Sequence, residues 1–349
     1  MTKNPSEISI LILYTGGTIG MTHNPRTGAL ESFDLEHLCA NVPEMNHFGF
    51  VIETMTLNPP IDSSDMEPEH WGKMAGIIKD NYEKYDGFVI LHGTDTMAYT
   101  ASALSFMLEN LGKPVVITGS QIPIGQLRTD GKENFLTSIE IAAAKDKNGN
   151  PMVPEVCIYF ESKLMRGNRT TKINSEGFNA FRSFNFPALA DAGIDIKYES
   201  HLIRHPKADK PLHVTTQMDN RVAVVSLFPG IREEVLSSLL NSNDLRGVIL
   251  KTYGSGNAPR KKWLVTLLSD LCKRGVVVVN ITQCSKGSVE MRRYETGLQL
   301  LNAGVLNGYD CTIEAMITKM MFLLGKYKDI ETVKRLMCED IAGELTVLG

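Results

Sequence analysis

The chain has 349 residues, 43% of them hydrophobic and 22% charged. This is ordinary globular composition, which excludes disordered and fibrous classes, and the length allows two domains because single cores rarely grow past about 250–300 residues. Basic residues number 36 and acidic residues 40, and the resulting net charge of −4 offers no global field for nucleic acid or an anionic membrane.

The pattern along the chain is α/β. Ile8–Tyr14 and Phe50–Leu57 read as strands, followed by a helix over Pro68–Tyr85 with Trp71, Met74, Ala75, Ile78, Tyr82 and Tyr85 on one face. Phe88–His92 reads as a strand, Thr96–Leu111 as a helix, Val115–Thr118 as a strand, Lys132–Asp146 as a helix and Val156–Phe160 as a strand. Continuous apolar strands separated by amphipathic helices predict a mostly parallel sheet covered on both faces. The pattern fades between Asp195 and Asn220, which predicts a linker there. It resumes with strand Arg221–Leu227, helix Ile231–Leu240, strand Gly247–Thr252, helix Pro259–Arg274 and strand Val276–Thr282. In the helix 259–274, Pro259 suits the first turn, Leu264, Leu267, Leu268, Leu271 and Cys272 form the apolar stripe, and Gly275 is a left-handed stop. Helices Thr312–Leu324 and Ile330–Cys338 close the chain. The expected organisation is a larger N-terminal α/β domain (1–194), a linker (195–220) and a smaller C-terminal α/β domain (221–349).

The six cysteines (Cys39, Cys157, Cys272, Cys284, Cys311, Cys338) include no C-x-x-C pair, so no zinc site or dithiol is indicated. Cysteines this sparse suit a reducing compartment. The apolar run Ile8–Tyr14 is too short to span a bilayer and lacks a cleavage region. A cytoplasmic, soluble protein is expected.

In open α/β sheets ligands bind beyond the carboxyl ends of the strands, and unusual residues gather there. The first strand ends in Thr15-Gly16-Gly17-Thr18-Ile19-Gly20. Adjacent glycines permit a sharp turn, and the Thr18 hydroxyl beside exposed N–H groups suits a nucleophile with an oxyanion hole. A phosphate-binding turn is the competing reading, although G-x-G-x-x-G is absent. The strand Phe88–His92 runs into Gly93-Thr94-Asp95-Thr96, where Thr94 or Asp95 could serve only as a helix N-cap. Asp62-Ser63-Ser64-Asp65 reads either as a loop and N-cap before the helix at 68 or as a rim for a small ligand's carboxylate and amine. Arg166-Gly167-Asn168-Arg169-Thr170-Thr171-Lys172 reads either as a solvated basic loop or as the source of a lysine that acts as, or orients, a base.

Taken together, T-G-G-T-I-G at 15–20, D-S-S-D at 62–65, H-G-T-D-T at 92–96 and R-G-N-R-T-T-K at 166–172 resemble the bacterial L-asparaginase family, its cytoplasmic type I branch in particular. Leu91–Leu111, Ile117–Gln121, Tyr253–Pro259 and Asn280–Cys284 agree with it, so the resemblance covers nearly the whole chain. It implies hydrolysis of L-asparagine to L-aspartate and ammonia, without cofactor or metal. It assigns Thr18 as the nucleophile, Thr94, Asp95 and Lys172 as the second catalytic group, and Asp62, Ser63 and Ser64, with Thr94 and Asp95, as the substrate grip. It also implies a homodimer or homotetramer, a lid formed by residues 20–32, and a regulatory asparagine site at Thr171, Lys251 and Cys284. Two departures stand out. The family's loop tyrosine is missing, since no tyrosine lies between Thr18 and Trp71; His23 is a conceivable substitute, and Lys172 acting through Thr94 is expected to carry more of the activation. Lys251 also stands where an arginine is expected, and a lysine lacks the bidentate grip on carboxylate. The alternative function is a non-catalytic amino-acid sensor on the same fold. The asparaginase-like subunit of a tRNA-dependent amidotransferase is set aside, because that family carries a further domain ahead of its T-G-G-T and only 14 residues precede Thr15 here.

Overall fold

A computed structural model describes residues 8–23, 30–32 and 42–347. It divides into two compact units, 1–216 and 217–349.

The first unit is built on an eight-stranded sheet in the order β8-β7-β6-β5-β4-β3-β1-β2. The strands are β1 (Ser9–Tyr14), β2 (Val51–Thr56), β3 (Gly87–Leu91), β4 (Val115–Thr118), β5 (Val156–Phe160), β6 (Lys163–Arg166), β7 (Ala190–Ala192) and β8 (Ile196–Tyr198). The run β5-β4-β3-β1-β2 is parallel, and β6 to β8 extend it antiparallel. β1, β3, β4 and β5 are buried along their whole length, as strands covered on both faces must be. Helices α1 (Pro68–Asp80), α2 (Met97–Met107) and α3 (Gly131–Ala143) make the crossovers. α1 buries Trp71, Met74, Ala75 and Ile78, a single face at helical spacing. It stops at Asp80, five residues before the expected end. α2 is buried nearly all round, and its Ser102 and Ser105 hydroxyls are satisfied by the carbonyls of Ala98 and Ala101. It also ends early, because Leu108–Glu109 pairs as a strand with His213–Val214.

Register sets the geometry that follows. Tyr14 lies level with Thr56 on one side and Leu91 on the other, and Leu91 lies level with Thr118. Four parallel strands therefore end at one height. The chain passes from β1 to β2 on one side and returns to β3 on the other, so the winding direction reverses between β1 and β3. That switch point is where the carboxyl edge of an open sheet leaves a crevice.

The second unit is a four-stranded parallel sheet, β9 (Val222–Ser226), β10 (Gly247–Thr252), β11 (Val277–Thr282) and β12 (Leu306–Asn307). Helices α4 (Glu233–Leu240), α5 (Lys262–Lys273), α6 (Glu295–Asn302), α7 (Ile313–Lys326) and α8 (Ile330–Met337) accompany it. α5 buries Leu264, Leu268 and Leu271, and Gly275 follows at φ +86°. Pro259 is not in its first turn, because the helix begins at Lys262. Lys319 and Glu344 form a fully buried ion pair at 2.5 Å. The Lys319 ammonium also donates to the carbonyls of Met337 and Glu339, and the Glu344 carboxylate accepts from Ile341 and Ala342 N–H, so both charges are fully partnered.

The segment 195–220, expected as a linker, carries more structure than its polar composition suggests. Ile196–Tyr198 is the edge strand β8, and His213–Val214 pairs with Leu108–Glu109. Edge strands tolerate polar residues because one side stays in water. Among the described residues no helix is long and apolar enough to cross a membrane.

Candidate active site

Three of the four motif groups meet at the level carboxyl edge of β1, β2 and β3. Thr15 anchors the first: its N–H and hydroxyl both reach the Leu91 carbonyl, at 3.0 and 2.9 Å, and its own carbonyl accepts from Ile61 N–H at 2.7 Å. The turn then runs through Gly16 and Gly17 at φ +123° and +93°. A Cβ on Gly17 would lie 2.5 Å from Gly93 Cα, and one on Gly16 would lie 2.9 Å from Ile61 N. Both glycines are demanded by left-handed conformation and by backbone-to-backbone contact. Gly93, whose φ is not left-handed, is held to glycine by packing alone, since a Cβ there would lie 2.7 Å from the Ser63 Cβ of the third group. The turns carrying Thr18, Ser63 and Thr94 therefore interlock through three glycines.

Thr18 opens a short 3-10 turn, Thr18–Gly20, with Gly17 at its N-cap, and is half-buried. Gly20 N–H donates to the Gly17 carbonyl and Ile124 N–H donates to the Ile19 carbonyl, both at 3.2 Å. Beneath the turn lies Tyr14, fully buried at the end of β1, its hydroxyl donating to the Gly20 carbonyl at 3.3 Å. Burial pushes this phenol up to about 12.

Neither Thr94 nor Asp95 caps α2. Thr96 occupies the N-cap without a capping bond, and its hydroxyl donates to the Ser63 carbonyl at 2.6 Å. Thr94 and Asp95 are left to Lys172, whose Nζ donates to Thr94 Oγ1 at 2.8 Å and lies 2.6 Å from Asp95 Oδ1. The Thr94 hydroxyl passes its own proton toward Gln121 Oε1 at 3.3 Å, and Gln121 Nε2 donates to the Gly177 carbonyl at 3.1 Å. Asp95 is 66% exposed and Lys172 18%. The carboxylate end of the pair is thus open to water while the ammonium end is largely enclosed.

Lys172 arrives there on a built support. Arg166, Asn168, Arg169 and Thr170 are all buried, which overturns the solvated-loop reading. Arg166 forms a buried bidentate pair with Glu155 at 2.6 and 3.1 Å, and Arg166 and Arg169 lie over the Phe186 ring. A Cβ on Gly167 would lie 2.9 Å from Ala101 Cβ, so the segment is pressed onto α2, the helix that follows Thr94 and Asp95. Thr171–Lys172 then pairs with Phe181–Arg182.

Asp62 caps a 3-10 turn, Ser63–Asp65, accepting from Ser64 N–H and Ser64 Oγ at 2.9 Å each. The helix at 68 is capped instead by Glu67 with His70. Ser63 is buried, whereas Asp62 and Ser64 are exposed. Thr171 is half-buried in the first unit; Lys251 is half-buried on β10 of the second, and Cys284 is exposed just beyond β11. The His23 side chain and residues 24–29 of the expected lid lie outside the described residues.

Two site neighbours were not singled out from sequence. Gln121 sits in a loop fastened by the Asp130 carboxylate, which accepts from Gln121 and Ile122 N–H. His92 is fully buried beside Gly93: its Nδ1 faces the Gly93 carbonyl at 2.7 Å, so that nitrogen carries the proton, and Nε2 accepts from Thr100 Oγ1 at 2.8 Å. Trp71 Nε1 donates to Thr100 Oγ1 at 3.0 Å. Burial pulls the imidazole down to about 4. The only sequence signal for either was membership of an ordered motif at a strand end.

The asparaginase N-terminal family model matches residues 9–204, and the glutaminase/asparaginase C-terminal domain model matches residues 221–337. L-asparaginase 1 of Escherichia coli strain K12 is 45% identical over 350 residues, covering 97% of this chain and 98% of that protein. A crystal structure of L-asparaginase I from Vibrio cholerae superposes with a TM-score of 0.88 at 41% identity, covering 98% of this chain and all of that one. The 60 kDa lysophospholipase of Mus musculus is 37% identical over 98% of this chain, which spans 63% of that protein.

Proposed function

The chain belongs to the asparaginase family, and from that premise we propose that it is an L-asparaginase, hydrolysing L-asparagine to L-aspartate and ammonia through an acyl-enzyme on Thr18. The observation that carries this reading is the Thr94–Asp95–Lys172 cluster, seated against the Thr18 turn by the contact of Gly17 with Gly93.

In this mechanism Thr18 Oγ attacks the carbon of the side-chain amide. A threonine hydroxyl is a weak nucleophile at neutral pH and needs a proton network beside it. Lys172 and Thr94 supply that network and deliver the proton to the departing nitrogen. The C–N bond breaks, ammonia leaves, and a β-aspartyl ester remains on Thr18. Water, held at Thr94, attacks the ester, and Thr18 regains its proton as aspartate forms. Backbone N–H groups of the two glycine turns stabilise the oxyanion, a contribution of about 3–4 kcal/mol per donor. Asp95 faces the substrate ammonium, and Asp62, Ser63 and Ser64 fix its α-carboxylate and amine. With no loop tyrosine, Lys172 carries more of the activation.

The working assembly is a homodimer or homotetramer in the cytoplasm. Thr171, Lys251 and Cys284 are the positions of a regulatory asparagine site, weakened by lysine in place of arginine. A non-catalytic sensor is the second reading, favoured by the missing tyrosine alone; binding would not call for two hydroxyls and a lysine.

Steady-state ammonia release from asparagine and from glutamine separates the two, with Thr18→Ala as control. Turnover lost in Thr18→Ala supports the hydrolase. Binding of asparagine without ammonia release supports the sensor. A sigmoidal response to asparagine would support the regulatory site, and a hyperbolic one would contradict it.

A further inference from the structure

Gly20 has no conformational reason to be glycine. Its φ is not in the left-handed region, unlike Gly16 and Gly17. The reason is Tyr14. A Cβ on Gly20 would lie 2.6 Å from Tyr14 Cζ and 2.8 Å from Cε2, closer than carbon atoms approach without displacement. The phenol end of the Tyr14 ring is thus pressed against the turn that opens with Thr18, and its hydroxyl donates to the Gly20 carbonyl at 3.3 Å.

We propose that Tyr14 is a positioning residue for the nucleophile, and that Tyr14 and Gly20 act as one unit that sets the height and direction of the Thr18 turn. This rests on the reading of Thr18 as nucleophile. The carbonyls of the turn are held by four bonds: Gly17 by Gly20 N–H, Thr18 by Met21 N–H, Ile19 by Ile124 N–H, and Gly20 by the phenol. The first two close the turn on itself and the third comes from the loop after β4. Only the fourth comes from β1, the strand whose end defines the level of the site. A phenolate could not donate this bond; buried, with its pKa raised to about 12, Tyr14 keeps its proton throughout the working pH range. The effect on chemistry is geometric, because a nucleophile displaced by a fraction of an ångström from its attack position loses rate while substrate contacts made elsewhere persist.

The test is a KM-against-kcat split combined with a mutant cycle. Tyr14→Phe keeps the ring and removes the donor. It is expected to lower kcat about fivefold with KM changed less than twofold, at an unaltered fraction of folded protein. A purely structural role would instead lower the melting temperature and leave kcat per folded site unchanged. Gly20→Ala is expected to lower kcat by more than a hundredfold, and Tyr14→Leu/Gly20→Ala, which removes Cζ and Cε2 from the contact, is expected to recover at least tenfold of that. A kcat for Tyr14→Phe within twofold of the parent overturns the proposal, as does a double variant no better than Gly20→Ala alone. If Tyr14→Phe does not fold, the recovery in the double variant decides by itself. Full ammonia release by Thr18→Ala would instead overturn the reading of Thr18 as nucleophile on which this proposal rests, so the two failures are distinguishable.

Discussion

The ammonium of Lys172 lies 2.8 Å from the hydroxyl of Thr94, although 78 residues separate them. Lys172 is thereby tied to the turn that abuts the Thr18 loop, and to Asp95 at 2.6 Å. Replacing Lys172 by methionine keeps the bulk of the stem and removes the charge. Turnover is expected to fall by about 10²–10⁴, the range for loss of a positioned proton-transfer group. Stability is expected to change by less than about 1 kcal/mol, because the Asp95 carboxylate is largely open to water and stays solvated without its partner. Ammonia release and urea unfolding measure both; near-normal turnover would remove Lys172 from the mechanism.

Gly17→Ala tests the interlocking turns. The position is at φ +93° and a Cβ would meet the Gly93 backbone, so conformational strain and a clash add. A loss of at least about 2 kcal/mol is expected in the urea midpoint, with activity lost in the protein that remains folded.

The buried His92 imidazole has a sign that can be checked. Its pKa falls from 6.5 unfolded to about 4 folded, so the unfolded chain binds the extra proton between those values. The favourable contribution is complete above pH 6.5 and is lost as pH falls toward 4, by up to about 3 kcal/mol. His92→Gln is expected to flatten that part of the stability curve. His92 stays neutral during turnover above pH 6, so the pH–rate profile there is expected to carry no inflection from it.

In the second unit the Lys319–Glu344 pair is fully enclosed. Lys319→Met leaves a buried carboxylate without its cation and is expected to destabilise by about 3–5 kcal/mol. Lys319→Met/Glu344→Gln is expected to cost less than the single change, which thermal unfolding of the two variants compares.

Much of the fold was legible because it is written in continuous apolar runs. β1, β4, β5, β10 and β11 lie within a residue of their expected bounds, since strands buried on both faces leave no ambiguity of period. Helix ends were less legible. α2 gives way to a strand at Leu108, a choice made by pairing with His213–Val214 far along the chain, and α6 contains Gly297, which packs on Met291 and disguises an eight-residue helix. At the site, the four motif groups were visible as residues at strand ends. Their meeting was not, because it depends on the common register of Tyr14, Thr56, Leu91 and Thr118. The segment 166–170 read more readily as a solvated loop, since arginines are mostly exposed; partners distant in sequence, among them Glu155, Phe186 and the Leu202 carbonyl, make its burial possible. Gly20 stood out only as the last residue of T-G-G-T-I-G, because the contact that excludes a side chain there comes from the Tyr14 ring.

The most direct measurement is intact-protein mass after rapid acid quench during turnover of asparagine, with peptide mapping of the added mass. The account predicts a transient species heavier by one aspartyl group, the addition located on Thr18 and absent from Thr18→Ala. Full turnover with no such species at any quench time, or an aspartyl group found on another side chain, would contradict it.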